Sequence, residues 1–206
     1  AYIKWVSNEE NNLVELSQKQ SESVLINIYN NQYDNLKTTI ELLSKAVPTN
    51  FNNTDAVEYH DLLNELQSTS SFLSNVFVAN LEGQVIAASE KPGWVRNYNA
   101  KKLQKEWFIK AISKKNKVIL SQPYKSKTGE FVQSISKAIV KNGVVIGVFG
   151  VDLSLMEIIP DTGIEFAVTT ASGDVAFTDG VNESWVQNNI FTIRPSFKDL
   201  TLSNES

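Results

Sequence analysis

The sequence predicts an α+β fold: a long N-terminal helix, an antiparallel-sheet module, and a second sheet module that is smaller or truncated. Three observations carry this expectation. Residues 2–46 contain neither Gly nor Pro. After Ser71 the texture turns to β, in the order hairpin, helix, three strands. The string FVANLEGQVIAAS is then echoed downstream by FAVTTASGDVAFT, an internal repeat of one hairpin. Helices gathered on one side of an antiparallel sheet make a layered fold, and the other face is open to a ligand.

The elements follow in order. From Leu25 the apolar positions run Leu25, Tyr29, Tyr33, Leu36, Ile40, Leu43 and Val47, steps of three and four that keep one stripe on one helix face. A helix over residues 2–46 is about 65 Å long at 1.5 Å per residue, more than one small domain covers. A stalk that also dimerises is the favoured reading, and a surface helix packed on its own domain the alternative. Pro48 ends this helix, and Thr54 or Asp55 caps a second one that runs to about Ser71. His60 lies within it as a partly exposed helix residue. Val76–Ala79 and Gln84–Ala88 form the first hairpin around Asn80–Gly83, followed by a Lys-Pro-Gly-Trp loop that ends at Trp94. Ala100–Ser113 is a helix carrying Trp107 and Phe108, and Lys117–Ser121, Phe131–Val140 and Val144–Val151 are strands. Asn142-Gly143 favours the tight turn of a hairpin between the last two. A short helix, Ser154–Ile158, stops at Pro160, and Glu165–Thr170 with Asp174–Thr178 form the repeated hairpin before a polar tail, Leu202–Ser206. The domain division is therefore 1–46 for the stalk helix, 47–156 for the first sheet module and 157–206 for the second.

Composition excludes several function classes. Among 206 residues there is no Cys and a single His, which removes disulfides, thiolate nucleophiles, Cys-based metal sites and any site needing two imidazoles. A net charge of -4 argues against a phosphate-binding face. The apolar run Gly143–Ile159 holds Asp152 in its middle and is too short and too β-branched to cross a bilayer as a helix. The chain begins at Ala1 with no basic and apolar leader, as expected of a processed or excised piece, soluble as given.

With these residues in view, the chain resembles the double Cache extracytoplasmic sensor domain of bacterial methyl-accepting chemotaxis proteins and related membrane sensors. The resemblance rests on VFVANLEGQVIAAS, the Trp-Phe pair of KEWFIKAI, VILSQPY, VQSISKAIVKNGVVIGVFGVDLSL and the second hairpin, and covers the chain to about Asp179. It implies a PAS-like architecture, a membrane-distal module that binds a small ligand, a smaller proximal module, and no catalysis, metal or cofactor. The length of the N-terminal helix adds the expectation of a homodimer formed through it, and the resemblance implies an inner-membrane protein held by segments outside this fragment, with the sensor on the periplasmic side. Nucleic acid is not an expected partner.

In amino-acid-binding members an Arg-x-Trp-Tyr string with a preceding Tyr holds the ligand carboxylate, and a later Tyr with an Asp holds its ammonium. Carried over by this resemblance, the candidate ligand-binding residues are Tyr98, Lys105, Trp107, Phe108, Tyr124 and Asp152. Lys105 stands where Arg is expected, Phe108 replaces the Tyr of the string, and two extra residues follow Tyr98. Lysine offers a point charge in place of a planar two-pronged donor, and Phe108 has no hydroxyl, so the site is better preserved for an amine than for an acid.

Asp152 carries the strongest signal, because an acidic residue inside an apolar strand end is expensive to bury unless something pairs it. Its alternative reading is a cap for the helix starting at Ser154. Trp107 and Phe108 could equally be core, Tyr124 could pack on the rim, and Trp94 could close over a ligand or simply cover the sheet. The expected function is ligand sensing for a chemoreceptor, with a histidine kinase or diguanylate cyclase as alternative outputs. A hydrolase using Asp152 and Glu106, or a dimerising stalk with a degenerate pocket, are the non-sensor alternatives.

Overall fold

The computed structural model describes residues 2–4, 12–47, 56–89, 98–126, 131–158, 167–170, 172–178, 183–186 and 188–195. The expected breaks at Pro48 and Pro160, the cap at Thr54 or Asp55, the loop residue Trp94 and the tail Leu202–Ser206 lie outside the described residues. In chain order the elements are β1 (Tyr2–Lys4), α1 (Asn12–Ala46), α2 (Ala56–Ser68), β2 (Leu73–Asn80), β3 (Val85–Ala88), α3 (Glu106–Ser113), β4 (Ile119–Leu120), β5 (Tyr124–Lys125), β6 (Phe131–Lys141), β7 (Val144–Ser154), α4 (Leu155–Ile158), β8 (Ala167–Thr169), β9 (Val175–Thr178), a 3-10 turn (Glu183–Trp185) and α5 (Ile190–Ile193). They divide into two compact units.

The larger unit comprises Asn31–Ser121 and Val132–Ile158. Its sheet runs β3-β2-β7-β6-β4 with every neighbouring pair antiparallel, as the alternating hairpin signals predict. The β6–β7 turn places Asn142 at φ 51° and Gly143 at φ 78°, the left-handed pair that matches the twist of a two-residue hairpin. One face of this sheet presents Val76, Val78, Ile135, Phe149, Val151 and Leu153, all buried. The other face, fixed by the pairing of Asp152 with both Asn75 and Ser134 and of Gly150 with both Phe77 and Ser136, mixes small, polar and aromatic side chains. It is covered by α3, whose Trp107 ring lies 4.7 Å from that of Phe77 and whose Trp107 carbonyl accepts from Ser136 Oγ at 2.8 Å. Two side chains of α2 tie it to the first hairpin: Gln67 Nε2 donates to the Ser74 carbonyl at 2.7 Å, and the half-buried His60 donates through Nδ1 to the carbonyl of Ala88.

The smaller unit comprises Ala1–Asn30, Gln122–Phe131 and Ile159–Ser206. Its sheet runs β1-β8-β9, with Tyr2 opposite Thr169 and Lys4 opposite Ala167. Ala167, Val175 and Ile190 form its core, with Trp185 and Phe191 packed against them. The echo heard in the sequence is a repeat of hydrogen bonds. Gly83 and Gly173, at φ 84° and 88°, donate to Asn80 and Thr170 at 2.9 and 3.0 Å. The next amides, Gln84 and Asp174, donate to the side chains of the same Asn80 and Thr170. Beyond each hairpin an asparagine, Asn99 or Asn189, bridges back to Gln84 or Asp174.

Two expected boundaries are corrected. The first helix begins at Asn12, and Tyr2–Lys4 is instead a strand. Its aromatic and β-branched residues are completed by the distant β8, a partner that no local periodicity reveals. The stripe itself holds: Leu25, Tyr29, Leu36, Ile40 and Val47 are buried. The third helix begins at Glu106 and not at Ala100. Upstream, the Ala100 amide is drawn to the Gly83 carbonyl at 2.7 Å, the Lys102 amide to Asn99 Oδ1 at 2.9 Å, and Gln104 takes φ 50°, so that stretch turns before α3 can start.

Candidate functional site

Small polar side chains cross the α3-covered face of the larger sheet, Asn75 on β2, Asp152 on β7, Ser134 on β6 and Ser121 beyond β4, and Ser89, just past β3 and opposite Val76, joins them at the Asn75 end. All five are buried, Asp152 the most exposed at 9%. Pairing register puts them in line, since Asp152 sits opposite Asn75 on one side and Ser134 on the other. Ser134 Oγ donates to Asp152 Oδ1 at 2.5 Å, and the Ser134 amide donates to Ser121 Oγ at 2.9 Å. At the other end Ser89 Oγ accepts from the Val76 amide at 2.8 Å and donates to Asn75 Oδ1 at 3.2 Å. Burying a carboxylate is costly unless hydrogen bonds or a cation compensate it, and this row supplies the first kind of compensation.

Above Asp152 stand the aromatic groups. Gly150, two residues back on β7, leaves the space that the Phe77 ring fills: a Cβ there would lie 2.5 Å from Phe77 Cε2. Phe77 in turn backs Trp107, which is 1% exposed. Tyr98 is tied to β3 through its carbonyl, which accepts from the Val85 amide at 3.2 Å. Burial pushes the Tyr98 phenol well above its ordinary pKa, the Asp152 charge adds to the rise, and a hydrogen bond with the Trp107 side chain opposes it. The indole N–H is the only donor Trp107 has there, so Tyr98 oxygen accepts. Lys105 occupies the N-cap position of α3 with extended backbone, φ -66° and ψ 124°. Burial lowers its ammonium pKa, and the Asp152 carboxylate pulls the other way. The field of Asp152 thus reaches both Tyr98 and Lys105.

Four of the six sequence-derived candidates, Tyr98, Lys105, Trp107 and Asp152, therefore act on one another. Asp152 is a strand residue within β7 and not the cap of α4. Phe108 is 2% exposed and meets Trp107 edge-on at 5.7 Å, a core position beside the site. Tyr124 is half-buried in β5, among the residues of the smaller unit. Glu106, the partner imagined for a carboxylate hydrolase, forms an i,i+4 ion pair with Lys110 along α3. Among the described residues no cluster of three or more His, Cys, Asp or Glu could hold a metal, and no helix is long and apolar enough to cross a membrane. Sequence reasoning missed Asn75, Ser89 and Ser134. Their only signal was register: once Asp152 is taken as an inward strand residue, the same-face neighbours on β2 and β6 follow from hairpin pairing.

A buried carboxylate held by the Ser134 hydroxyl, with its charge felt by Tyr98, is chemically suited to a small cation, because aromatic faces and buried carboxylates both attract positive charge. Comparison with known proteins agrees on the architecture. The ligand-binding domain of the Pseudomonas aeruginosa amino acid chemoreceptor PctC, in complex with GABA, superimposes with a TM-score of 0.64 at 16% identity, covering 84% of this chain and 79% of that one. That of the Pseudomonas fluorescens chemoreceptor CtaA, in complex with L-serine, also gives 0.64 at 18% identity, covering 88% and 79%. Among curated proteins, the toxin coregulated pilus biosynthesis protein I of Vibrio cholerae is 22% identical over 200 residues, which is 97% of this chain and 31% of that protein. The chain thus spans about a third of the length of the curated relative. A family model described as Cache domain matches residues 1–198. With nearly every residue inside that match, the chain belongs to the Cache domain family.

Proposed function

We propose that this chain is the extracytoplasmic ligand-sensing part of a transmembrane receptor, and that its larger unit binds the cationic end of a small amine or amino-acid-like molecule. The observation that carries the reading is the Asp152 carboxylate, buried between Asn75 and Ser134 and coupled to Tyr98 and Lys105. A ligand ammonium pairs with the carboxylate, and the buried surroundings that include Trp107 and Tyr98 strengthen the attraction. No residue in this reading performs chemistry. In it residues 47–156 form the binding module, 157–206 the smaller module, and residues 1–46 the helix through which two copies pair and the signal travels. Binding shifts the population between two arrangements of that helix, which requires tighter binding to one of them. A chemoreceptor is the favoured output, supported by the fold shared with the PctC and CtaA domains, and a histidine kinase or diguanylate cyclase is the alternative.

The test is a thermal-shift and calorimetric panel on the purified chain with L-alanine, γ-aminobutyrate, putrescine, ethanolamine and succinate. Amine-bearing compounds raise the melting temperature, succinate does not, and Asp152→Asn removes the response. Binding of amines that survives Asp152→Asn, or a panel without any response, overturns the proposal.

A further inference from the structure

We infer that Ser74 is a positioning residue that joins Asp152 to α2, so that a ligand gripped at Asp152 is registered on that helix. The coupling rests on the amine-binding reading for its ligand, while the hydrogen bonds that form it stand without one. Along β2 and β7, Leu73 pairs with Leu153 and Asn75 with Asp152, which leaves Ser74 as the extra residue of a β-bulge. The ladder continues beyond it, where the Ser154 amide donates to the Phe72 carbonyl at 2.9 Å. Side chains alternate along a regular strand, so without the insertion Leu73 and Asn75 would share a face. With it, Leu73 joins Leu153 on the apolar face and Asn75 joins Asp152 on the other. The bulged residue then bonds in both directions. Its hydroxyl donates to the Asp152 carbonyl at 3.1 Å, and its own carbonyl accepts from Gln67 Nε2 of α2 at 2.7 Å. On the far side of β7, Ser134 Oγ donates to Asp152 Oδ1 at 2.5 Å. A hydrogen-bonded line therefore runs from β6 through Asp152 and Ser74 to α2, the element that follows α1 in the chain. The extra residue of a bulge has no partner in register across the ladder, so Ser74 moves with the two groups that hold it, and a shift at Asp152 is passed to Gln67.

The experiment follows the Gln67 side-chain amide by NMR in chains that keep or lack the hydroxyl at this position. Thr and Val have nearly the same shape and both suit a strand, so Ser74→Thr and Ser74→Val differ in the hydroxyl alone. His60, which donates to the Ala88 carbonyl, is untouched and keeps α2 on the first hairpin in both variants. The first readout needs no ligand. Ser134→Ala removes the bond to Asp152 Oδ1 from the β6 side, and the Gln67 signals shift in the wild-type and Ser74→Thr backgrounds but stay in place in Ser74→Val. Unmoved Gln67 signals in the wild-type background, an equal shift in Ser74→Val, or a Ser74→Thr chain that behaves as Ser74→Val overturns the inference. The second readout is titration with ethanolamine. It moves the Gln67 signals in step with binding in wild type and Ser74→Thr. Ser74→Val still binds, about threefold more weakly through the loss of one hydrogen bond, and its Gln67 signals no longer follow. A merely structural role would weaken binding and leave the Gln67 response at saturation intact. If ethanolamine fails to bind the wild-type chain, the amine reading falls while the Ser134→Ala comparison still decides the coupling.

Discussion

Asn99 and Asn189 hold the same post in two hairpin brackets. Each donates through Nδ2 to a carbonyl in the turn of the preceding hairpin, Asn99 to Glu82 at 3.1 Å and Asn189 to Ser172 at 2.9 Å. Each accepts at Oδ1 from an amide just downstream, Lys102 at 2.9 Å and Phe191 at 3.1 Å. One side chain thereby closes the turn behind it and starts the segment ahead of it. In the larger unit that segment leads from Tyr98 to Lys105 and into Trp107.

Asn99→Ala removes both bonds and leaves the Glu82 carbonyl and the Lys102 amide without this partner. Loss of a capping side chain costs about 1 kcal/mol, and the second bond adds a similar amount. The expected outcome is a loss of about 1–2 kcal/mol in chemical denaturation, together with weaker amine binding, because Tyr98 and Lys105 flank the loosened turn. Asn99→Asp keeps the acceptor alone and falls between the two. A full loss in Asn99→Asp would show that the bond to Glu82 carries the whole effect.

Gly150→Ala tests the packing beneath Trp107. The added Cβ would sit 2.5 Å from Phe77 Cε2 and 2.6 Å from Cζ, closer than atoms tolerate, and the ring cannot retreat without pressing Trp107, whose ring is 4.7 Å away. Overpacking of this kind costs about 1–3 kcal/mol. Gly150→Ala combined with Phe77→Leu recovers part of the loss, and near-ultraviolet circular dichroism follows the Trp107 environment. A single variant as stable as wild type would mean that the sheet opens at β7 more readily than its pairing suggests.

Tyr98 sets the alkaline limb of stability. Its phenol pKa is raised by burial first and by Asp152 second, so the folded chain keeps a proton that the unfolded chain loses. Above the ordinary phenol value of 10.0 the unfolded state therefore binds fewer protons than the folded one, and stability falls as pH rises. The contribution is fully present below that value. Denaturation midpoints measured across this range decline for the wild type and decline less for Tyr98→Phe. At neutral pH the same variant loses about 1 kcal/mol, because the Trp107 indole N–H loses its acceptor.

The parts legible in the sequence were those with a local signature. The α1 stripe has the helical period, and Asn142-Gly143 is a pair that readily accepts two adjacent positive φ angles. Asp152 stood out as a charge in an apolar strand. Tyr2–Lys4 was illegible because its partner β8 lies at the far end of the chain, and the late start of α3 because it depends on where the Asn99 side chain and the Gly83 carbonyl point. Ser134 and Asn75 carry no pattern of their own. Small polar residues in strands are common, and only the register that sets both of them beside Asp152 gives them a role.

Lys105 separates two accounts of the site. The resemblance to amino-acid receptors gives this position to the ligand carboxylate, whereas the structure places it within the field of Asp152. Burial lowers its pKa and outweighs the attraction of Asp152, so the ammonium is held at a cost whenever it is charged, and that cost is present at neutral pH. Lys105→Met keeps the length and the apolar stem while removing the charge. If Lys105 serves as an internal counter-cation for Asp152, the variant is at least as stable as wild type and binds ethanolamine about three- to tenfold more tightly, because the ligand no longer competes with a tethered cation. If Lys105 grips the ligand carboxylate, ethanolamine binding is unchanged and L-alanine binding weakens. Calorimetry with both compounds on one variant decides between them: tighter ethanolamine binding favours the internal counter-cation, and a loss confined to L-alanine rejects it.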